Sequence, residues 1–182
     1  MTQTVFSYDT TSRILAVVHV ALIVALWLVP LLTYTSLPDR IPVHFNLDGQ
    51  ADRWEEKSLQ SLFLIPAIWT VVGTLIFVLL RYRRAFNYPQ KDEVNKLPEP
   101  YQQPVHVLNR RFILAIFVII GAMFVYLEYA VIDTARDGAA SMNLFGILVP
   151  MGLTFALTIT YLIRMRGVVE RAINAAKRNQ GV

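Results

Sequence analysis

The sequence predicts an all-α membrane protein with four transmembrane helices, both termini inside (N-in/C-in), and a compact strand-turn-cap loop on the outer face. Three observations carry this. First, 55% of the residues are hydrophobic and 16% charged, against about 25% charged in a typical soluble domain. Second, four uncharged runs, Ile14–Pro38, Ser58–Leu80, Phe112–Leu127 and Gly138–Ile163, approach or exceed the roughly 20 helical residues that a bilayer core of about 30 Å requires. The third run reaches that length by continuing past Glu128 to Ile132. Third, Lys and Arg fall very unevenly between the connectors. A chain of 182 residues is ordinarily one domain. The absence of cysteine excludes disulfides, thiolate metal sites and a cysteine nucleophile.

The elements follow in order. Residues 1–12 form a short polar amino-terminal segment. Helix 1 spans about 13–36, with Ser12 or Thr11 as candidate cap and Pro30 as a kink near the outer end. A cleaved signal peptide is the rival reading, but the apolar core is too long and no small-x-small site follows it. His19 sits in the inner half and is read as hydrogen-bonded to a neighbouring helix. Helix 2, about 58–80, stops at Arg81-Tyr82-Arg83-Arg84. The next connector carries Pro89, Pro98, Pro100 and Pro104 and is too broken for a domain of its own. Helix 3, about 106–133, starts after Pro104, and Asp137-Gly138 lies in the following turn. Helix 4, about 142–163, offers Gly146, Gly152, Thr154 and Thr158 as small or hydroxyl packing surface. The basic tail, 164–182, has Val169, Ala172, Ile173 and Ala176 at helical spacing. It reads either as an amphipathic helix on the inner leaflet or as a solvated tail.

Orientation comes from the 17 Lys and Arg residues. Only Arg40, Arg53, Lys57 and Arg136 lie in the first and third connectors. The other thirteen lie in the amino-terminal segment, the second connector and the tail. Positive charge stays on the cytoplasmic side. Both termini are therefore expected in the cytoplasm of a cell-membrane protein, with residues 37–57 facing outward. The same clustering explains the net charge of +4 without nucleic acid.

The outward loop is the longest polar stretch that positive charge does not dominate. Pro38 ends helix 1 and Pro42 keeps Ile41 extended. Ile41, Val43, Phe45 and Leu47 alternate with His44, Asn46 and Asp48, a period of two that predicts a short strand. Asp48-Gly49 is a turn signal. Asp52-Arg53-Trp54-Glu55 resembles a capping box leading into helix 2, and Trp54 suits the lipid interface. His44, Asn46 and Asp52 are the candidate binding residues of the loop. Their structural reading is that His44 and Asn46 bond loop backbone and Asp52 caps a helix. The His and carboxylates match no established ligand spacing and offer one nitrogen ligand, so no metal or other cofactor is assigned. No serine sits in a nucleophile motif and His44 has no identifiable triad partner, so no catalytic residue is assigned. Glu128 is the fourth binding candidate. A carboxylate within a bilayer costs several kcal/mol unless neutralised, paired or hydrated. The expected partners are a neighbouring tyrosine, or His44 or Arg53 from the loop above.

The string from Leu37 through Pro38, Ile41-Pro42, His44, Asn46, Gly49 and Asp52 to Ser58 resembles a bacterial and archaeal membrane domain of unknown function. That domain also forms the amino-terminal part of SdpI-like immunity proteins. Its Pro-x-x-Ile-Pro-x-His-x-Asn…Gly…Asp pattern, directly after the first transmembrane helix, is kept in full. The resemblance implies an integral membrane protein and, for the SdpI branch, protection from a secreted peptide toxin. The Gly-Ile-Arg-Thr-Pro-Trp-type motif of the second SdpI half has no match in this chain.

Three functions follow as expectations. The first is recognition of a peptide, lipid or membrane-protein partner by the outward loop, as in toxin immunity. The second is an accessory or structural subunit of a membrane complex. The third is a small membrane transporter or enzyme, which needs more intramembrane polar groups than His19 and Glu128. Membrane lipids are partners in every case.

Overall fold

The computed structural model describes residues 9–82, 86–138 and 141–179. Residues 1–8, 83–85 at the basic stop, 139–140 in the third connector and 180–182 of the tail lie outside the described residues. Among the described residues the order is α1 (Thr10–Thr33), a 3-10 turn (Tyr34–Ser36), β1 (Arg40–Phe45), β2 (Ala51–Glu56), α2 (Leu59–Leu79), α3 (Lys91–Val94), α4 (Glu99–Asp137) and α5 (Phe145–Asn179). The helices α1, α2, α4 and α5 are each long and apolar enough to cross a membrane. The protein is a mostly helical integral membrane protein with one two-stranded sheet.

Helix α4 is the central element. It packs along α1 on one side and α5 on the other, and α2 leans against α1 and α4. Two contacts set the directions. Asp9, just before α1, reaches Arg110 and Arg111 of α4, and Ser36, just after α1, meets Arg136. So α1 and α4 run the same way. Helix α5 runs back, since Tyr161 bonds Asn109 and Asn179 bonds Tyr101. The molecule therefore has a hairpin end and a basic end.

Helix α1 begins at Thr10, three residues before the expected start. Its N-cap is Asp9 rather than Ser12 or Thr11. The Asp9 carboxylate accepts from Ser12 N (3.2 Å) and Ser12 Oγ (2.6 Å). Aspartate is among the strongest N-cap residues, and Arg110 and Arg111 hold it in place.

At 39 residues, α4 is far longer than the span predicted for it. It starts at Glu99, with Pro98 as N-cap and Pro100 in the first turn, where a missing N–H costs nothing. Pro104 is carried inside the helix. The cost is offset by packing, because Val105 is fully buried. Gly138, at φ 68°, caps the far end, donating to the Thr134 carbonyl. At 1.5 Å per residue α4 is about 58 Å long, so it projects well beyond a core of about 30 Å.

The tail is neither a separate surface helix nor a solvated segment. It continues α5 to Asn179. Gly167 costs a helix only about 1 kcal/mol relative to alanine. The apolar row finds protein instead of lipid: Met165, Val169 and Ala172 pack with Tyr88 and Val94 of the connector and Val105 of α4. Phe112 stacks on Tyr161 at 3.8 Å, and the Tyr161 hydroxyl donates to Asn109 Oδ1 at 2.7 Å. The connector and the ends of α4 and α5 thus build a small core at the basic end. A second small core, Leu37, Ile41, Leu62, Ile132 and Ala135, seats the hairpin at the other end.

Candidate functional site

The loop between α1 and α2 is a β-hairpin. Strands β1 and β2 pair antiparallel, with Ile41 opposite Glu55 and Pro42 opposite Trp54. Ile41 and Pro42 are buried against the helix ends. Trp54 therefore packs in the hairpin as the partner of Pro42, and its carbonyl accepts from Arg40 at 2.9 Å. The register slips between Pro42 and His44 and again between His44 and Phe45. These irregularities end the strict alternation expected from the sequence, and Leu47 is left 93% exposed at the tip.

The turn is built by Asn46. Its side-chain oxygen accepts from Asp48 N and Gln50 N, each at 2.9 Å, and its carbonyl accepts from Gly49 N at 2.9 Å. This is the Asx-type turn that asparagine favours. Gly49 sits at φ 77°, and a Cβ there would overlap the Met142 carbonyl. Gly49 O accepts from Met142 N at 2.7 Å, and Gln50 bridges Ser141. The segment before α5 thus hooks onto the hairpin tip.

Asp52 does not cap α2. The second strand runs on to Glu56, and the cap is Ser58, in a reciprocal box with Ser61 (3.1 and 3.0 Å). Pairing with β1 satisfies the backbone that a capping reading assigned to the helix. Asp52 instead faces His44, with Oδ1 2.5 Å from Nδ1. The side chains are 55% and 46% exposed. Asn46 is next to this pair in the turn, but its oxygen is committed to backbone.

Glu128 stands apart from the hairpin residues. It is 2% exposed, and its Oε1 has no hydrogen-bond partner among the described residues. It lines an apolar pocket of about 350 Å³ between α1 and α4 with Ala25, Leu26, Val29, Ala122, Val125, Tyr126 and Tyr129. None of its expected partners reaches it. His44 is held by Asp52, Arg53 lies 4.0 Å from Glu55 at the exposed hairpin surface, and the Tyr126 hydroxyl donates to the Asn143 carbonyl at 2.6 Å. Among the described residues the His19 ring nitrogens make no well-formed hydrogen bond, although the ring faces the Phe117 backbone of α4, the neighbouring helix expected to partner it. It packs edge-on against Trp69 (5.8 Å) and Phe117 (5.6 Å), in space that Gly73 leaves open. Phe117 precedes Glu128 by eleven residues on α4, about 16 Å along the axis, so the two ionisable groups lie at different depths. Among the described residues no group of three His, Asp or Glu side chains is placed to hold a metal ion.

Lys57 matters to the site and was not singled out from the sequence. Its Nζ donates to the Leu37 carbonyl (2.6 Å) and the Tyr34 carbonyl (3.2 Å), and it lies over the Tyr34 ring. It closes the end of α1, where orphan carbonyls favour a cation. Arg40 and Arg136 likewise bond Trp54 O and Ser36 Oγ. Lys57 thus ties the hairpin to the end of α1, Arg40 braces its two strands, and Arg136 ties α4 to the end of α1.

The comparisons with known proteins centre on the same region. Residues 21–70 match a domain of unknown function (DUF1648). The match covers the second half of α1, the whole hairpin and the first half of α2. The chain is also 29% identical over 150 residues to an "Uncharacterized protein" of Archaeoglobus fulgidus, covering 76% of this chain and 80% of the relative. No solved structure matches. The chain is an integral membrane protein whose hairpin-bearing segment is similar to that domain of unknown function.

Proposed function

We propose that this is a cell-membrane protein with both termini in the cytoplasm, whose outward hairpin recognises a partner at the membrane surface. A secreted peptide, as in SdpI-like immunity, is the partner we favour. The observation that carries the reading is the tip. Leu47 is 93% exposed beside the exposed His44–Asp52 pair. The turn beneath is fixed by Asn46 and by the Gly49–Met142 bond. A rigid hairpin that presents one apolar and two polar side chains loses little conformational entropy on binding.

A strain lacking the protein, challenged with secreted peptide toxins, tests this. Restoring the protein is expected to restore resistance, and His44→Ala or Leu47→Asp to abolish it at unchanged membrane levels. Full resistance from both variants would remove the hairpin as the recognising surface. Stoichiometric co-purification with another membrane protein, without toxin resistance, would favour the accessory-subunit reading. Orientation is tested separately in this cysteine-free chain. A membrane-impermeant thiol reagent is expected to label Asp48→Cys in intact cells and to spare Glu93→Cys.

A further inference from the structure

We propose that the groove between α4 and α5 at the basic end is a binding site for the head group of an anionic phospholipid. Its walls are Arg111 of α4 and Arg164 and Arg171 of α5, and its floor is Pro104, Val107, Leu108 and Val168, with a volume of about 440 Å³.

The antiparallel packing of α4 and α5 brings the three arginines to the lining of one groove. Side chains lean toward the amino-terminal end of their own helix. The two helices are antiparallel, so Arg111 leans away from the bilayer and Arg171 leans back toward it. The Arg171 guanidinium folds back beside Gly167, one of its nitrogens 3.8 Å from where a Cβ on residue 167 would sit, an ordinary contact distance. Arg111 and Arg164 stand where the apolar runs of α4 and α5 end, at the bilayer edge.

Charge selects the occupant. Arg111 is compensated by Asp9 at 2.9 Å. Arg164 and Arg171 have no ion-pair partner among the described residues, although they share one groove. Guanidinium forks suit phosphate oxygens, and basic pockets between transmembrane helices suit acidic head groups. The apolar floor fits the glycerol and first methylenes of a lipid better than a free, fully hydrated anion.

Native mass spectrometry of the full-length protein from mixed micelles of phosphatidylglycerol and phosphatidylcholine at equal mole fraction tests this. We expect retained phosphatidylglycerol to exceed phosphatidylcholine at least tenfold. R164Q/R171Q is expected to remove that preference, and K177Q/R178Q, two turns further along α5, to leave it intact. Equal retention of the two lipids by the unsubstituted protein overturns the proposal, whether or not any variant folds. Equal loss in K177Q/R178Q also overturns it, because the charge would then act diffusely. Displacement of the lipid by millimolar inorganic phosphate would make this a free-anion site and overturn the lipid assignment.

Discussion

His44 Nδ1 lies 2.5 Å from Asp52 Oδ1, across two strands whose register slips on both sides of His44. The unbroken register of the flanking pairs, Pro42 with Trp54 and Phe45 with Ala51, would set His44 opposite Asp52; the slip makes Arg53 its cross-strand partner, yet the His44–Asp52 contact is kept. Half-exposed ion pairs contribute about 0.2–1 kcal/mol. We therefore expect His44→Ala and Asp52→Ala each to lower stability by no more than about 1 kcal/mol, with a coupling energy of the same size in a double-mutant cycle read by thermal unfolding in detergent. A coupling of several kcal/mol would make the pair a structural clamp and weaken its claim to recognition.

Gly49 joins the hairpin to the α4–α5 connection through Met142 N, at 2.7 Å. Its positive φ and the Met142 carbonyl against it leave no room for a Cβ. Gly49→Ala combines left-handed strain of about 1–2 kcal/mol with a backbone clash. The expected loss is about 2–3 kcal/mol, with faster hydrogen exchange at the Met142 amide. An unchanged Met142 amide would show that the hairpin tip is not docked.

The membrane helices were legible because twenty-odd apolar residues have few alternatives. The hairpin was half legible. Pro42, the alternation around His44 and the Asp48-Gly49 turn gave β1 and its end. But Asp52-Arg53-Trp54-Glu55 fits a capping box as well as a strand, and only pairing with β1 decides between them. Lys57 and Asp9 were hidden for another reason. One counted only toward the charge asymmetry and the other lay in the short polar amino-terminal segment, and their partners are carbonyls or arginines distant in sequence. The core at the basic end was missed because Pro98, Pro100 and Pro104 read as helix breakers, whereas two of them occupy helix-start positions and the third is offset by burial. Glu128 was legible as an anomaly, but its surroundings needed the packing of α1 on α4.

Asp9 caps α1 and holds Arg110 and Arg111 at 3.3 and 2.9 Å. Burial pushes its carboxyl pKa up, but hydrogen bonds from Ser12 and Arg111, together with the Arg111 charge, outweigh this and hold it well below the usual carboxylate range. A depressed folded-state pKa stabilises above the unfolded value, near 3.8, and the contribution fades as pH falls through the folded one. Asp9→Asn keeps a capping oxygen but removes the charge that faces Arg110 and Arg111, and is expected to cost about 0.5–1 kcal/mol at neutral pH. The two unfolding curves should keep a constant gap down to about pH 4 and converge below it. A gap that persists under strong acid would assign the stabilisation to shape, not charge.

His19 and Gly73 form a tight contact between α1 and α2. A Cβ on residue 73 would lie 2.7 Å from His19 Nε2. Gly73→Ala is expected to lose about 1–3 kcal/mol by overpacking. His19→Ala in the same chain should recover part of that loss by removing the ring. If the double substitution is simply the sum of the two single ones in thermal unfolding, the two helices do not meet there.

Glu128 offers the sharpest separation of stability from function. A buried carboxyl with an unpartnered oxygen in an apolar wall is a net cost to the fold. Glu128→Leu is therefore expected to leave the protein at least as stable, with a gain of about 1–3 kcal/mol. Breaking a buried ion pair would instead lose about 3–5 kcal/mol, so a strongly destabilised variant would reveal a partner for Glu128. Stabilising substitutions at working sites commonly carry a functional cost. The same variant, tested for toxin resistance in the restored strain, then decides the role of the pocket between α1 and α4. A stable and inactive protein places Glu128 in the binding machinery, and a stable and active one removes it.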